Sequence, residues 1–273
     1  MGKKSALALL IACLPLLAAD NTLTAEEKKA GWKLLFDGKS LKGWTDPARK
    51  SPPGNAWSIE DGCIKATARP RIREDLLTEE SFGDFELVFD WRISPGGNSG
   101  VKYRIQDLVF LDERIQHPDS KRFEDRVEYV MVNRVGSREK VGDSSGEEYV
   151  VAFEYQVIDD SRHRDAQRGS KYQAGALYDM IGPSKAAARP VGEFNHSRII
   201  LRGNRIEHWL NGVKVVDGSL DSEEIREGLA KRWGTQSQVY RLLTTQPKRR
   251  TPVGLQNHND EAWFRNIKIR RLD

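Results

Sequence analysis

The chain has 273 residues, with 44 basic and 40 acidic side chains and a formal charge of +4. So small an excess argues against a nucleic-acid binder, which needs a clustered basic surface for phosphate contacts. Residues 1–19 then open the chain with Lys3 and Lys4, an apolar run over 6–17 and the small pair Ala18-Ala19, the pattern of a removable secretory signal. The run is shorter than the ~20 residues that cross a bilayer and contains Pro15, so no transmembrane span is expected once it is removed. An exported protein, periplasmic or extracellular, is the expectation.

Leu10-Ile11-Ala12-Cys13 also resembles a bacterial lipoprotein box, which would make Cys13 a lipid-anchored first residue. The apolar residues continuing past Cys13 fit an ordinary signal core instead, and both readings stand. Removal of 1–19 takes two lysines from the 44 basic residues, against 40 acidic, and leaves +2. Of the two cysteines only Cys63 then remains, so no internal disulfide can form and stability rests on core burial.

From Gly31 the chain reads as strands and turns, and 31–273 is expected to form one all-β domain. Asp37-Gly38 and Asp61-Gly62 follow apolar runs as hairpin signals, because Gly adopts positive φ without steric cost. Residues 84–93 alternate cleanly: Phe85, Leu87, Phe89, Trp91 and Ile93 share one face, and Asp84, Glu86, Asp90 and Arg92 the other. A charge-dense excursion over 106–148 interrupts the pattern and reads either as a solvated loop or as a flap beside a groove. Strands over 197–202, 205–210 and 213–216, separated by Gly203-Asn204 and Asn211-Gly212, form a meander. Residues 221–232 give one short surface helix, with Asp221 or Ser222 as its N-cap. Lys248-Arg249-Arg250 reads as a solvated turn, and 263–269 as the closing strand.

The strand Glu154-Tyr155-Gln156-Val157-Ile158 sets acid and amide among apolar residues, so one of its faces is wet or functional. Lys102 with Arg104, Glu154 with Gln156, and Gln256 with His258 each share a face at period 2, and the three pairs are expected to converge on one groove. Cations beside Glu154 would lower its pKa and leave His258 to exchange a proton near neutral pH. Asp159 lies at a strand end, where a turn cap and a ligand role are equally open, and Tyr178 either stacks on ligand or packs the core. His208, between Ile206 and Leu210, reads as a core histidine, and His163, flanked by arginines, as solvated. No P-loop, dinucleotide fingerprint, His-Glu-x-x-His, Cys-x-x-Cys or nucleophile elbow is present. A polar groove of this kind suits a sugar, whose apolar faces stack on aromatic rings while amides and charged groups bind its hydroxyls.

Leu35-Phe36-Asp37-Gly38 with Gly43-Trp44, Gly97-Asn98-Ser99-Gly100, Glu154-Tyr155-Gln156 with Asp159-Asp160, and Gly175-Ala176-Leu177-Tyr178-Asp179 follow one another along the chain. His208-Trp209-Leu210-Asn211-Gly212, Gly254-Leu255-Gln256 with His258, and Phe264-Arg265-Asn266-Ile267 complete the series. In these motifs and their order the chain resembles the bacterial 3-keto-disaccharide hydrolase domain family. Three features depart from the family pattern: Phe194-Asn195 where Trp-Asn is usual, Asn257 where Asp is common, and the length of 106–148. The resemblance implies a concanavalin A-like jelly roll of two antiparallel sheets with a concave groove. It also implies cleavage of the glycosidic bond of 3-keto-glycosides. A ketone at C3 acidifies the C2 proton, so a base and an enolate stabiliser suffice for elimination at C1, and water can then add. Glu154 and His258 are the catalytic candidates, and Lys102, Arg104, Gln156, Asp159, Tyr178 and Gln256 the substrate-binding ones. The cofactor is unknown; a divalent metal ion is one option for the enolate, although no ligand spacing is diagnostic. A non-catalytic carbohydrate-binding module and a structural envelope protein are the alternatives.

Overall fold

A computed structural model describes residues 19–46, 51–52, 54–138 and 145–272, so the signal reading over 1–18 and Cys13 lie outside the described residues. In chain order the strands are β1 (Lys33–Leu34), β2 (Trp44–Thr45), β3 (Trp57–Glu60), β4 (Cys63–Ala66), β5 (Ile72–Arg73), β6 (Leu76–Thr78) and β7 (Phe85–Ile93). They continue as β8 (Asn98–Asp112), β9 (Gly146–Ile158), β10 (Asn195–Arg202), β11 (Arg205–Leu210), β12 (Val213–Ser219), β13 (Gly254–Leu255) and β14 (Ala262–Arg271). One sheet runs β12-β11-β10-β7-β14-β4-β3, with β1 also on β14, and the other runs β2-β6-β13-β8-β9-β5. The molecule is an all-β sandwich of the concanavalin A-like kind. Among the described residues its one departure from antiparallel pairing is the two-residue contact of β5 with β9, which is parallel.

Alternation decides which residues fill the space between the sheets. Phe85, Leu87, Phe89, Trp91 and Ile93 of β7 all enter the core, as do Phe153, Tyr155 and Val157 of β9. Phe89 meets Tyr155 edge-on at 5.5 Å between ring centroids, which fixes one sheet over the other. The predicted hairpins at Asp61-Gly62 and Asn211-Gly212 form with positive φ at both central residues, as their sequence favours. His208 is buried in this core, where its ring meets Tyr103 Oη at 2.9 Å and Gly175 O at 2.9 Å. Burial lowers its pKa to about 4, so it is a neutral core histidine. Cys63 is buried with a free thiol.

Three sequence expectations are corrected here. The excursion is shorter than 106–148, because β8 runs on to Asp112 and β9 begins at Gly146, and it carries a helix, α2 (Phe123–Asn133). Residues 221–232 do not form the only helix: the described residues also hold α1 (Ala25–Lys29) and α4 (Gln238–Thr244) beside α3 (Glu223–Trp233). Ser222 caps α3 and Ser237 caps α4, while Glu128 of α2 accepts the Gln238 N–H at 2.7 Å, tying the helices together. Lys248-Arg249-Arg250 is not simply solvated, for Lys248 bonds Gln106 and the Arg249 carbonyl accepts from Arg104. No helix among the described residues is long and apolar enough to cross a membrane.

Candidate active site

Because Phe153, Tyr155 and Val157 point into the core, Glu154 and Gln156 face outward from the six-stranded sheet. Lys102 stands opposite Glu154 on β8, and Gly254 stands opposite Lys102 on β13, which brings Gln256 beside them. Gln256 Nε2 donates to Glu154 Oε2 at 3.3 Å. The Gln156 amide, turned to satisfy both of its ends, donates to Glu154 Oε1 at 3.0 Å and to the Ser99 carbonyl at 3.1 Å. The glutamate lies flat across Gly100, where a Cβ would come 2.7 Å from its Cγ and Cδ. Only glycine leaves that room.

A cavity of about 370 Å³ opens against Glu154. Glu154, Tyr178, Gln256 and His258 line it, so four of the eight site residues expected from sequence meet there. The other four do not reach its wall. Lys102 is buried in an ion pair with Asp75 at 2.6 Å, and Gln156 is buried behind Glu154. Asp159 caps its own turn, accepting the Gly96 N–H at 2.7 Å and the Ser161 N–H at 2.9 Å. Arg104 is corrected most plainly: β8 bulges between Tyr103 and Asp107, and Arg104 takes φ 53° there. It therefore leaves the face of Lys102 and donates to the carbonyls of Gly203 and Arg249.

The electrostatic expectation is also reversed. Burial raises the Glu154 pKa to about 7 against the pull of Lys102 and Arg232, and Asp75 adds to the rise. His258 falls to about 4 through burial, with Arg73 and His163 nearby, so its ring is neutral at physiological pH. Burial opposes the Lys102 ammonium as well, but Asp75 and Glu154 outweigh it and its pKa rises. Burial pushes the Tyr178 phenol up, so it stands in the cavity as a protonated donor.

Two contributors were missed in the sequence. Arg232, on the helix assigned to the surface, lines the cavity, donates to Glu124 at 3.3 Å and lies over the rings of Tyr178 and Trp233. His163, taken as solvated, lies against His258 with ring centroids 6.3 Å apart. His163, His258 and Asp260 bring donor atoms within 4.8 Å of one another, and are the residues of this site with which a metal ion would have to be held. His163 Nδ1 accepts the Asp165 N–H at 3.1 Å, which leaves Nε2 as the atom free to face a ligand. Two imidazoles and a carboxylate are a donor set that a divalent ion accepts, with positions left open to water or substrate.

The family of 3-keto-alpha-glucoside-1,2-lyase-like domains matches residues 31–270. The chain belongs to this family. It is 31% identical over 257 residues to a 3-keto-disaccharide hydrolase of Bacteroides thetaiotaomicron, covering 89% of this chain and 79% of that one. A crystal structure of a candidate glycosyl hydrolase from Parabacteroides distasonis superposes with a TM-score of 0.67 at 27% identity, covering 93% of this chain and all of that one. A second from the same organism has a TM-score of 0.57 at 24% identity and supports the shared fold.

Proposed function

We propose that this family member cleaves the glycosidic bond of 3-keto-glycosides by elimination followed by hydration. The observation that carries the reading is Glu154, a carboxylate on the cavity wall whose pKa of about 7 suits it to take and return a proton at neutral pH. Glu154 removes the C2 proton, and the electron pair moves into the C2–C3 bond as the C3 ketone becomes an enolate. Arg232, the cavity-lining cation whose field reaches Glu154, stabilises that negative charge, and Tyr178 offers a phenol hydrogen bond. As the ketone re-forms, the pair shifts to C1–C2, the C1–O bond breaks, and protonated Glu154 returns its proton to the departing oxygen. Water then adds across C1 and C2 to give the 3-keto-sugar. Gln256 and Gln156 hold both carboxylate oxygens in place. The family description and the hydrolase from Bacteroides thetaiotaomicron support the same substrate class.

The test pairs a 3-keto-glucoside with its unoxidised parent. Release of the aglycone from the first alone is expected, with deuterium at C2 of the product when the reaction runs in D2O. Glu154→Gln is expected to lower turnover by ~100-fold or more. Binding without turnover would identify a carbohydrate-binding module instead, and neither would identify a structural envelope protein. We also propose export, supported by the pattern of residues 1–19. Mass spectrometry of the mature N-terminus separates cleavage near Ala19 from lipidation at Cys13.

A further inference from the structure

Lys102 and Glu154 stand directly opposite one another on β8 and β9, where an acid and a base ordinarily pair across the strands. Here they do not. The Lys102 ammonium is turned to Asp75 Oδ2 at 2.6 Å, and both oxygens of Glu154 are held by the neutral amides of Gln256 and Gln156. Asp75 lies in the link between β5 and β6 and is as deeply buried as Lys102. Its second oxygen accepts the Asn257 N–H at 3.1 Å, and Asn257 is anchored in turn, donating from Nδ2 to the carbonyls of Ala56 at 2.8 Å and Thr67 at 3.1 Å. The other cations around Glu154 are likewise engaged: Arg73 of β5 pairs with Glu147 of β9 at 2.5 Å, Arg168 with Asp165 at 3.5 Å, and Arg232 of α3 with Glu124 at 3.3 Å and Asp179 at 3.8 Å. Arg164 lines the cavity from an exposed position, where water and salt screen its charge. Burial keeps Tyr149 and Tyr178 protonated and the ring of His258, beside His163 and Asp260, neutral. Among the described residues Glu154 is thus an acid that no ion pair holds.

We propose that Asp75 is a positioning residue of the active site, holding the Lys102 ammonium away from Glu154 so that Glu154 can take a proton from substrate and return it at neutral pH. This rests on the role given to Glu154 above and adds the residue that keeps it fit for that role. An ammonium paired with Glu154 would fix it as a carboxylate, a weaker base with no proton to give back. Burial raises the Glu154 pKa, Lys102 lowers it and Asp75 raises it again, so the two members of the buried pair act on it with opposite signs. The same carboxylate fastens the backbone between Gln256 and His258, so one side chain sets the charge beneath the cavity and the strand end that lines it.

The experiment follows the acid limb of kcat/KM on a 3-keto-glucoside. Asp75→Asn keeps the shape and releases Lys102, and the limb is expected to fall by about 1 pH unit or more, the effect of an opposite charge close to a carboxylate. Adding Lys102→Met to that variant removes the freed cation and should return the limb to its position in the unaltered protein. A purely structural role would not be corrected by a second deletion. A limb that stays in place in folded Asp75→Asn protein, or remains lowered in the double variant, overturns the proposal. If Asp75→Asn alone does not fold, the double variant, which buries no charge at either position, decides. Its limb should match that of the unaltered protein, and a rise of about 1 unit or more would mean that Lys102 already acts on Glu154 directly, which overturns the proposal. Urea unfolding gives a readout without turnover: the stability that Glu154→Gln gains between pH 5 and pH 8 should shrink at least about two-fold when Asp75→Asn is also present. Its persistence in full sinks the proposal, whereas absence of cleavage by the unaltered protein sinks the functional reading alone.

Discussion

Glu154 is held in a state that costs folding energy. Its pKa of about 7 lies above the ordinary 4.5, so the folded chain binds that proton more tightly than the unfolded chain does. The resulting stabilisation is complete below about pH 4.5 and is lost as the pH rises through 7. It amounts to at most ~3 kcal/mol, and less to the extent that water in the cavity screens the carboxylate. Glu154→Gln should therefore gain stability relative to the parent between pH 5 and pH 8, read by urea unfolding at both values. A gain in the opposite direction would remove the raised pKa. The same carboxylate should give kcat/KM an acid limb with an apparent pKa near 7. Gly100→Ala tests the positioning, because its methyl would displace Glu154 from the position held by the two amides. Activity should fall at least about 10-fold, with a stability cost of ~1–3 kcal/mol typical of overpacking. Unaltered kinetics in that variant would mean that the placement of Glu154 is not what limits the reaction.

At the scale of elements, the segment joining β8 to β9 carries a side chain that reaches into a buried acidic cluster. Arg138 pairs with three buried carboxylates, Asp46, Glu74 and Glu148. Burial, with Asp46 close by, raises Glu148 to about 8. Removing the guanidinium leaves buried acids without their cation, so Arg138→Met should cost ~3–5 kcal/mol in denaturant unfolding. Glu148→Gln in the same chain should recover part of that loss; if the two effects simply add, the cluster does not act as one unit. Elements also explain what could be read in advance. The pattern of β7 was plain because five apolar residues alternate without a break, and Glu154, Gln256 and His258 were found by the same period. Arg104 was misplaced because a bulge inverts the parity after Tyr103, and the sequence Arg104-Ile105-Gln106 contains no glycine to announce it. Helix α2 did leave a trace, with Phe123, Val127 and Val130 at i, i+4 and i+7, but the surrounding charges obscured it. Arg232 gave no signal because a basic residue in a helix's last turn is ordinary on dipole grounds.

Across the whole molecule, the first described residues and β14 meet. Asn21 and Asn266 exchange hydrogen bonds from backbone N–H to side-chain oxygen at 2.6 and 2.9 Å, and Lys268 reaches Glu27 of α1 at 2.7 Å. The packed unit thus begins ahead of Gly31, near residue 20. β14 pairs with β7 on one side and with β4 and β1 on the other, although it is the last strand to be made. A chain stopped before Ala262 should fail to give a cooperative unfolding transition, whereas a chain lacking only its last two residues should keep one. A folded truncated chain would show that the eight-stranded sheet closes without its central strand. The order of strands also sets a clock on synthesis. During synthesis no strand joins β7 to β4 until β14 has been made, so the larger sheet must wait for that strand. Until then the facing edges of β7 and β4 stay unpaired, the kind of surface on which a nascent chain aggregates.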